Sequence, residues 1–200
     1  LFYTCELLYY ARHQDKVYVT REVAPLATRN RFRTDWRASL AAGYLTDLAS
    51  RVAQRHDPSP ELFELLDSAL TDLDRGGWHP PMCFCFELKL LEQLGFAPRL
   101  DRCVGCEAES PAGQSVAFSS RRGGILCRAC AEGEPDLIRA GPDIIAILSL
   151  WQRAIGWTAA RAARCNTRQL QSIRALLGDF LVFHLELPLD RRHAALALLD

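Results

Sequence analysis

The residues of this sequence that spell out chemistry most clearly are four cysteines in two C-x2-C pairs. Cys103 and Cys106 form the first pair and, twenty residues on, Cys127 and Cys130 form the second. Each pair brings two thiolates to one point, and together they make a tetrahedral set of soft ligands of the kind Zn2+ prefers. Four protein sulfurs leave the ion no open position for water, so the pattern predicts a structural rather than a catalytic zinc site. Gly105 sits inside the first knuckle, where a Cβ would hinder the tight backbone, and Gly123 and Gly124 lead into the second. Between the pairs, Ser115 to Ser119 reads as a short strand. The spacer is therefore expected to be a small hairpin that returns the chain to the metal.

Two other uses of paired cysteines fit less well. A thioredoxin-like redox pair opens a helix after a strand in a βαβ unit, whereas here two pairs lie in a loop-rich segment. A zinc deaminase needs H-x-E before P-C-x2-C. The H-x-E of this chain, His184-Leu185-Glu186, follows both pairs, and Arg102 and Leu126 stand where the proline should be. The remaining cysteines read as small core residues: Cys83 and Cys85 are two apart on one helix and face different ways, and Cys5 and Cys165 have no near partner. No nucleophile elbow, phosphate loop or H-E-x2-H motif occurs, so an enzyme is not expected.

Elements must hold that site in place, and 200 residues, 49% of them apolar, suffice for a packed domain with a small appendage. No apolar run reaches transmembrane length. Eight cysteines, half of them arranged as a metal site, point to a reducing cytosol. The chain opens directly in an apolar segment, Leu1-Phe2-Tyr3, and is expected to be the later part of a longer protein. Its formal charge is zero, but residues 57–110 hold four basic and eleven acidic side chains, and residues 151–200 seven basic and four acidic. A neutral total therefore does not exclude a local basic face for phosphates, and equally such clusters can be simple solvated surface.

Residues 1–34 read as strands, with Phe2 to Tyr10 and Lys16 to Val23 flanking a polar turn at Arg12 to Asp15 and with Pro25 ending the pairing. Two strands are marginal alone and need others, most simply strands upstream. Arg29, Arg31 and Arg33 then alternate around Phe32, a pattern that can track a nucleic-acid backbone or keep an edge soluble. From Trp36 the period becomes helical: Trp36, Leu40, Tyr44, Leu48 and Val52 form a stripe, capped by Thr34 or Asp35. A second helix starts at Ser59-Pro60, buries Phe63, Leu66, Leu70 and Leu73, and stops at Gly76-Gly77. A third, from about Pro81 to Leu94, is apolar almost all round and is expected at the centre of the core. A fourth opens at Gly141-Pro142-Asp143 and carries Ile144, Ile147, Leu148, Trp151 and Ile155. Asn166 and Gln169 form a capping box for the next, striped by Leu170, Ile173, Leu177, Leu181 and His184, and residues 191–199 form a last short helix. The fold class is thus mainly α: a helical bundle over 35–200 with a four-cysteine zinc-knuckle hairpin inserted at about 98–133, preceded over 1–34 by strands.

Laid out in this order, the chain resembles the RecO family of bacterial recombination mediators. The resemblance rests on the terminal strand pair, the Arg-rich exit and the run Leu94-Gly95-Phe96-x-Pro98-x-Leu100 before Cys103-x2-Cys106. It continues through Phe118-x4-Gly123-Gly124-x2-Cys127-x2-Cys130 and the helix around Arg174 and His184 to Arg191-Arg192. It implies that the strands at 1–34 are the end of a partial OB-fold, and that Cys103, Cys106, Cys127 and Cys130 bind one structural Zn2+. It also implies a non-catalytic cytoplasmic, nucleoid-associated repair protein. Such a protein binds and anneals single- and double-stranded DNA, binds the acidic C-terminal tail of single-stranded DNA-binding protein (SSB), and works with RecR in loading recombinase. On that footing the phosphate contacts are expected at Arg29, Arg31, Arg33, Arg121, Arg122, Arg191 and Arg192. The acidic tail is expected in an apolar groove at Leu170 and Ile173 flanked by Arg168 and Arg174, with Arg168 and Arg174 also near DNA. The competing expectation is a zinc-stabilised protein-interaction module that reaches DNA only through partners.

Overall fold

The computed structural model describes residues 2–12, 17–54, 57–110, 113–186 and 190–197. The expected turn before Lys16, His13, His56 and the side chain of Arg191 lie outside the described parts. The centre is α3 (Pro80–Gln93), in which ten residues from Pro81 to Leu91 are buried. Its sequence, apolar almost all round from Pro81 to Leu91, leaves little face for water there, so other helices must surround it. They are α1 (Trp36–Val52), α2 (Pro60–Gly76), α5 (Pro142–Arg153), the short α6 (Thr158–Ala162) and α7 (Thr167–Leu185), with α8 (Asp190–Leu196) laid on α1. Among the described residues, no helix is long and apolar enough to cross a membrane.

The local signals for the helix starts act as expected. Asp35 accepts a hydrogen bond from Ala38 N at 3.1 Å, Ser59 accepts one from Leu62 N at 3.3 Å, and Asn166 and Gln169 close a reciprocal capping box. Two buried faces are rotated from those the sequence suggested. Trp36 is 62% exposed and Phe63 is 59% exposed, while Ala38, Ala41, Leu45, Leu65 and Ala69 turn inward. Small alanines face the core because the helices approach closely there, which a stripe of large residues does not reveal. Ile155 is 96% exposed because α5 already ends at Arg153.

Before the bundle, β1 (Thr4–Arg12) and β2 (Val17–Ala27) form a two-stranded antiparallel ribbon. Pairing does not stop at Pro25: it runs on to Thr4 opposite Ala27, with an irregularity between Thr4 and Cys5. Neither strand has a second neighbour among the described residues, so Pro25 sits at an edge, where a missing N–H is tolerated.

A second sheet, ordered β4-β3-β5, is built from β3 (Val116–Ser119), β4 (Gly124–Leu126) and β5 (Ile138–Ala140). The β3–β4 hairpin is the spacer expected between the cysteine pairs; β5 is an addition, too short to announce itself in sequence. Val116, Phe118 and Ile125 of this sheet belong to the same buried cluster as the helices, and the Phe118 and Phe180 rings lie 5.6 Å apart. The cysteine-bearing segment is therefore fused to the bundle through a shared apolar face.

Candidate metal centre and basic surface

The four cysteines converge: their sulfurs all lie within 4.8 Å of one another. Cys106 and Cys127 sulfurs are 3.7 Å apart. A tetrahedron with metal–sulfur bonds of about 2.3 Å has edges of about 3.8 Å, so the set fits a tetrahedral thiophilic ion. Two local devices build it. Residues 102–109 form a miniature hairpin, bridged at Arg102 and Glu109, in which Cys103 N donates to Ala108 O at 2.8 Å. A short turn of helix, α4 (Arg128–Ala131), starts just after Cys127 and carries Cys130. The knuckles are tied together by Val104 N donating to Ile125 O at 2.9 Å.

Glycines mark the closest approaches. A Cβ on Gly105 would lie 2.9 Å from the Cys130 sulfur, so the first knuckle has room for that sulfur only without a side chain. A Cβ on Gly124 would lie 2.3 Å from the Arg99 carbonyl oxygen. Here the segment after α3 runs alongside β4, with Arg99 N donating to Gly123 O at 2.9 Å and Ile125 N to Arg99 O at 3.0 Å. The Gly-Gly pair thus anchors the knuckle to the helix that precedes it.

The electrostatics suit thiolates that exchange protons for a cation. Burial raises the Cys103 thiol, but backbone N–H groups of Cys127, Gly105 and Cys106 outweigh it and bring the pKa down to about 6. Gly105 N and Cys127 N lie 3.4 and 3.3 Å from that sulfur. Hydrogen bonds with the neighbouring sulfurs push Cys130 up to about 12. Four crowded sulfurs cannot all ionise without a positive ion among them, so a metal ion held there would displace protons. Cys83 and Cys85 are buried in α3, their thiols pushed up by burial, Cys85 to about 11. All eight cysteines are free thiols.

The arginines expected to face DNA divide sharply. Between Arg31 and Arg33 the backbone turns as a 3-10 helix, so the three arginines do not share the strand face that alternation suggested. Arg29 is 2% exposed. Its guanidinium donates to Phe2 O, Thr4 Oγ1, Asp67 Oδ1 and Thr71 Oγ1 at 2.7–3.0 Å, clamping the ribbon to α2. Arg31 reaches the C-terminal carbonyls of α2, donating to Asp74 O at 2.5 Å and Arg75 O at 3.1 Å, the favoured place for a cation on a helix. Arg33 points out to solvent. Arg121 and Arg122 are exposed at the β3–β4 turn, with Arg122 3.6 Å from Glu134. That turn is docked on α7, where His184 Nε2 donates to Ser120 O at 2.9 Å and Ser120 Oγ donates to Asp179.

Arg192 corrects the expectation most strongly. It is 2% exposed and makes a bidentate pair with the fully buried Glu87 at 2.8 and 3.0 Å, while Tyr44 Oη donates to the same carboxylate at 2.6 Å. Its remaining nitrogen donates to Arg174 O at 2.9 Å. With every arm turned inward, neither Arg29 nor Arg192 presents a charge to phosphate. Arg168 is exposed, Arg174 is half-buried and donates to Leu196 O at 3.3 Å, and Leu170 is partly buried. Ile173 is fully buried and lines no open groove. Sequence reasoning passed over Glu87, although an acid inside an apolar helix signals a buried partner.

The family model described as "Recombination protein O C terminal" matches residues 33–193, which hold helices α1 to α7, all four cysteines and the three-stranded sheet. The chain belongs to the RecO family. Its relatives include proteins named "DNA repair protein RecO" from Anaeromyxobacter sp. (strain K) and Geobacter metallireducens. The first is 38% identical over 160 residues, covering 80% of this chain and 60% of the relative; the second is 34% identical over 158 residues, covering 79% and 62%. The RecO protein of Bacillus pumilus is 33% identical over 119 residues, 60% of this chain and 45% of the relative. The chain thus spans about 60% of the length of its first relatives. RecO membership accords with the mainly helical architecture and with a cysteine cluster able to hold a metal ion.

Proposed function

We propose that this chain is the helical, partner-docking portion of a recombination mediator that binds DNA without chemistry. Membership of the RecO family over 33–193 carries the reading. In it the β1–β2 ribbon belongs to an OB-fold, whose other strands would cover the exposed Leu7, Tyr9, Val19 and Val23. Cys103, Cys106, Cys127 and Cys130 hold one Zn2+, since four thiolates at tetrahedral spacing suit that ion. The zinc fixes the knuckles and leaves no position for a reacting water.

Of the proposed contact set Arg31 is exposed but held by the carbonyls that end α2, which leaves Arg33, Arg121, Arg122 and Arg168 as the other exposed members. They would hold single- or double-stranded DNA and support annealing. The groove for the acidic SSB tail lies near Arg168 and Arg174, without Ile173, and the assembly with RecR loads recombinase in the bacterial cytoplasm, at the nucleoid. The inward-facing Arg29 and Arg192 favour a second reading, a zinc-stabilised interaction module that meets DNA through its partners.

Fluorescence anisotropy with single-stranded DNA at several salt concentrations, with metal analysis on the same sample, separates the two. The first reading expects one zinc per chain and an affinity falling with salt by a log–log slope of about 0.7 per phosphate contact. Arg121→Ala with Arg122→Ala should lower that slope. Bound zinc with no DNA affinity would establish the interaction module instead.

A further inference from the structure

The aromatic residue that the helical period assigned to the core, Trp36, stands at the mouth of an open groove. This groove of about 500 Å³ runs between the 3-10 turn, α1 and α8 and is lined by Phe32, Arg33, Trp36, Leu40, Gly43 and Tyr44 among others. Its volume is in the range of about 300–1,000 Å³ that holds small ligands. Three features point to one kind of occupant. Trp36 is 62% exposed, with the Arg37 guanidinium 5.5 Å from its ring centre. Arg33 and Arg37 are both exposed, and among the described residues no acid lines the groove. The adjacent acid, Asp35, is engaged with Ala38 N and lies 4.0 Å from Arg31.

Gly43 is the third feature. A glycine within a helix is less stable there than alanine. Packing does not require it, since an added Cβ would meet only Phe2, at an ordinary 3.9 Å. What the missing side chain does is keep the groove open.

We propose that this groove is a nucleobase site for single-stranded nucleic acid. A base stacks on Trp36 against the apolar floor at Leu40 and Gly43, and Arg33 and Arg37 take the flanking phosphates. With Arg37 over one face of Trp36, the base takes the other, and an aromatic face beside exposed guanidiniums is a combination that holds unpaired strands, because every base has a π-face and every linkage a charge. The site rests on the DNA-binding reading above and gives it a position.

The test uses the intact chain and an oligo(dT) strand, reading anisotropy and tryptophan emission together. Trp151 is fully buried, Trp157 is 9% exposed and Trp78 packs partly buried against the core, so Trp36 should supply most of the quenching on binding. Trp36→Ala should weaken binding by on the order of tenfold or more, and Trp36→Phe should restore most of the affinity without the quenching. Arg33→Ala with Arg37→Ala should lower the salt slope by about 1.4. Gly43→Leu, which fills the groove, should weaken binding while thermal unfolding confirms a folded protein. If the parent chain binds the strand and Trp36→Ala binds equally well, the nucleobase site is wrong and the DNA-binding reading stands. No binding by the parent chain overturns both. An acidic apolar peptide that binds and shields Trp36 while oligo(dT) does not would assign the groove to a protein partner and overturn the proposal.

Discussion

Arg192→Met should be among the most destabilising single changes in this protein, although sequence alone would class it as the loss of a surface charge. Glu87 is fully buried in α3, and Arg192 supplies both of its bidentate hydrogen bonds, at 2.8 and 3.0 Å. Without the guanidinium the carboxylate keeps only the Tyr44 hydroxyl, which stays a donor because burial and the adjacent Glu87 raise its pKa well above the ordinary value. Removing one member of a buried, hydrogen-bonded ion pair costs about 3–5 kcal/mol, most of it from the charge left behind. With a urea slope of about 2 kcal/mol/M, the unfolding midpoint should fall by about 1.5–2.5 M. The double variant Glu87→Met, Arg192→Met removes both charges and should recover most of the loss, since apolar replacement of a buried pair is often neutral. Urea titration followed by circular dichroism, with hydrogen exchange over residues 190–197, checks both the global and the local effect. A midpoint within about 0.3 M of the parent, together with unchanged exchange in α8, would refute the claim that this pair fastens α8 to the bundle.

Two further outcomes follow from the geometry. Gly105→Ala places a methyl group against the Cys130 sulfur and should lower metal affinity by about 10- to 100-fold in competition with a chromophoric chelator, the usual scale for disturbing a ligand's surroundings; equal affinity would show that the first knuckle is not confined. Partial burial raises the Asp67 carboxyl, but hydrogen bonds from Thr4 and Arg29 outweigh it and hold the pKa below its ordinary 3.8. The stabilisation is therefore present above that value and is lost as pH falls through the lower folded value. Hydrogen exchange at the Thr4 end of the ribbon should rise on acidification in the parent and much less in Asp67→Asn; identical acid responses would remove Asp67 from the clamp.

The local chemistry was legible in the sequence wherever one residue type has one good use. Paired C-x2-C motifs picked out the four cysteines that converge into a cluster able to hold a metal ion, Ser59-Pro60 and Asn166 with Gln169 marked helix starts, and the almost wholly apolar α3 announced the centre of the core. Large apolar residues are a weaker guide to a helix face. Trp36 and Phe63 fitted the period yet lie outside, because alanines pack where helix axes come close.

The charged residues carry the main lesson. A sequence fixes how many arginines there are and where they fall along the chain, but a guanidinium has five donors on a long stem and takes whatever acceptors the fold brings near. Arg29 and Arg33 are close neighbours in the chain, yet one clamps the ribbon to α2 and the other faces solvent. Arg192 meets Glu87 across 105 residues of chain. Spacing along the chain was enough to pick out the four cysteines whose sulfurs converge, because each pair is local and one short hairpin brings the two pairs together. Whether an arginine serves the core or the surface was decided only by tertiary packing, since its acceptors come from distant segments that meet only when the bundle closes.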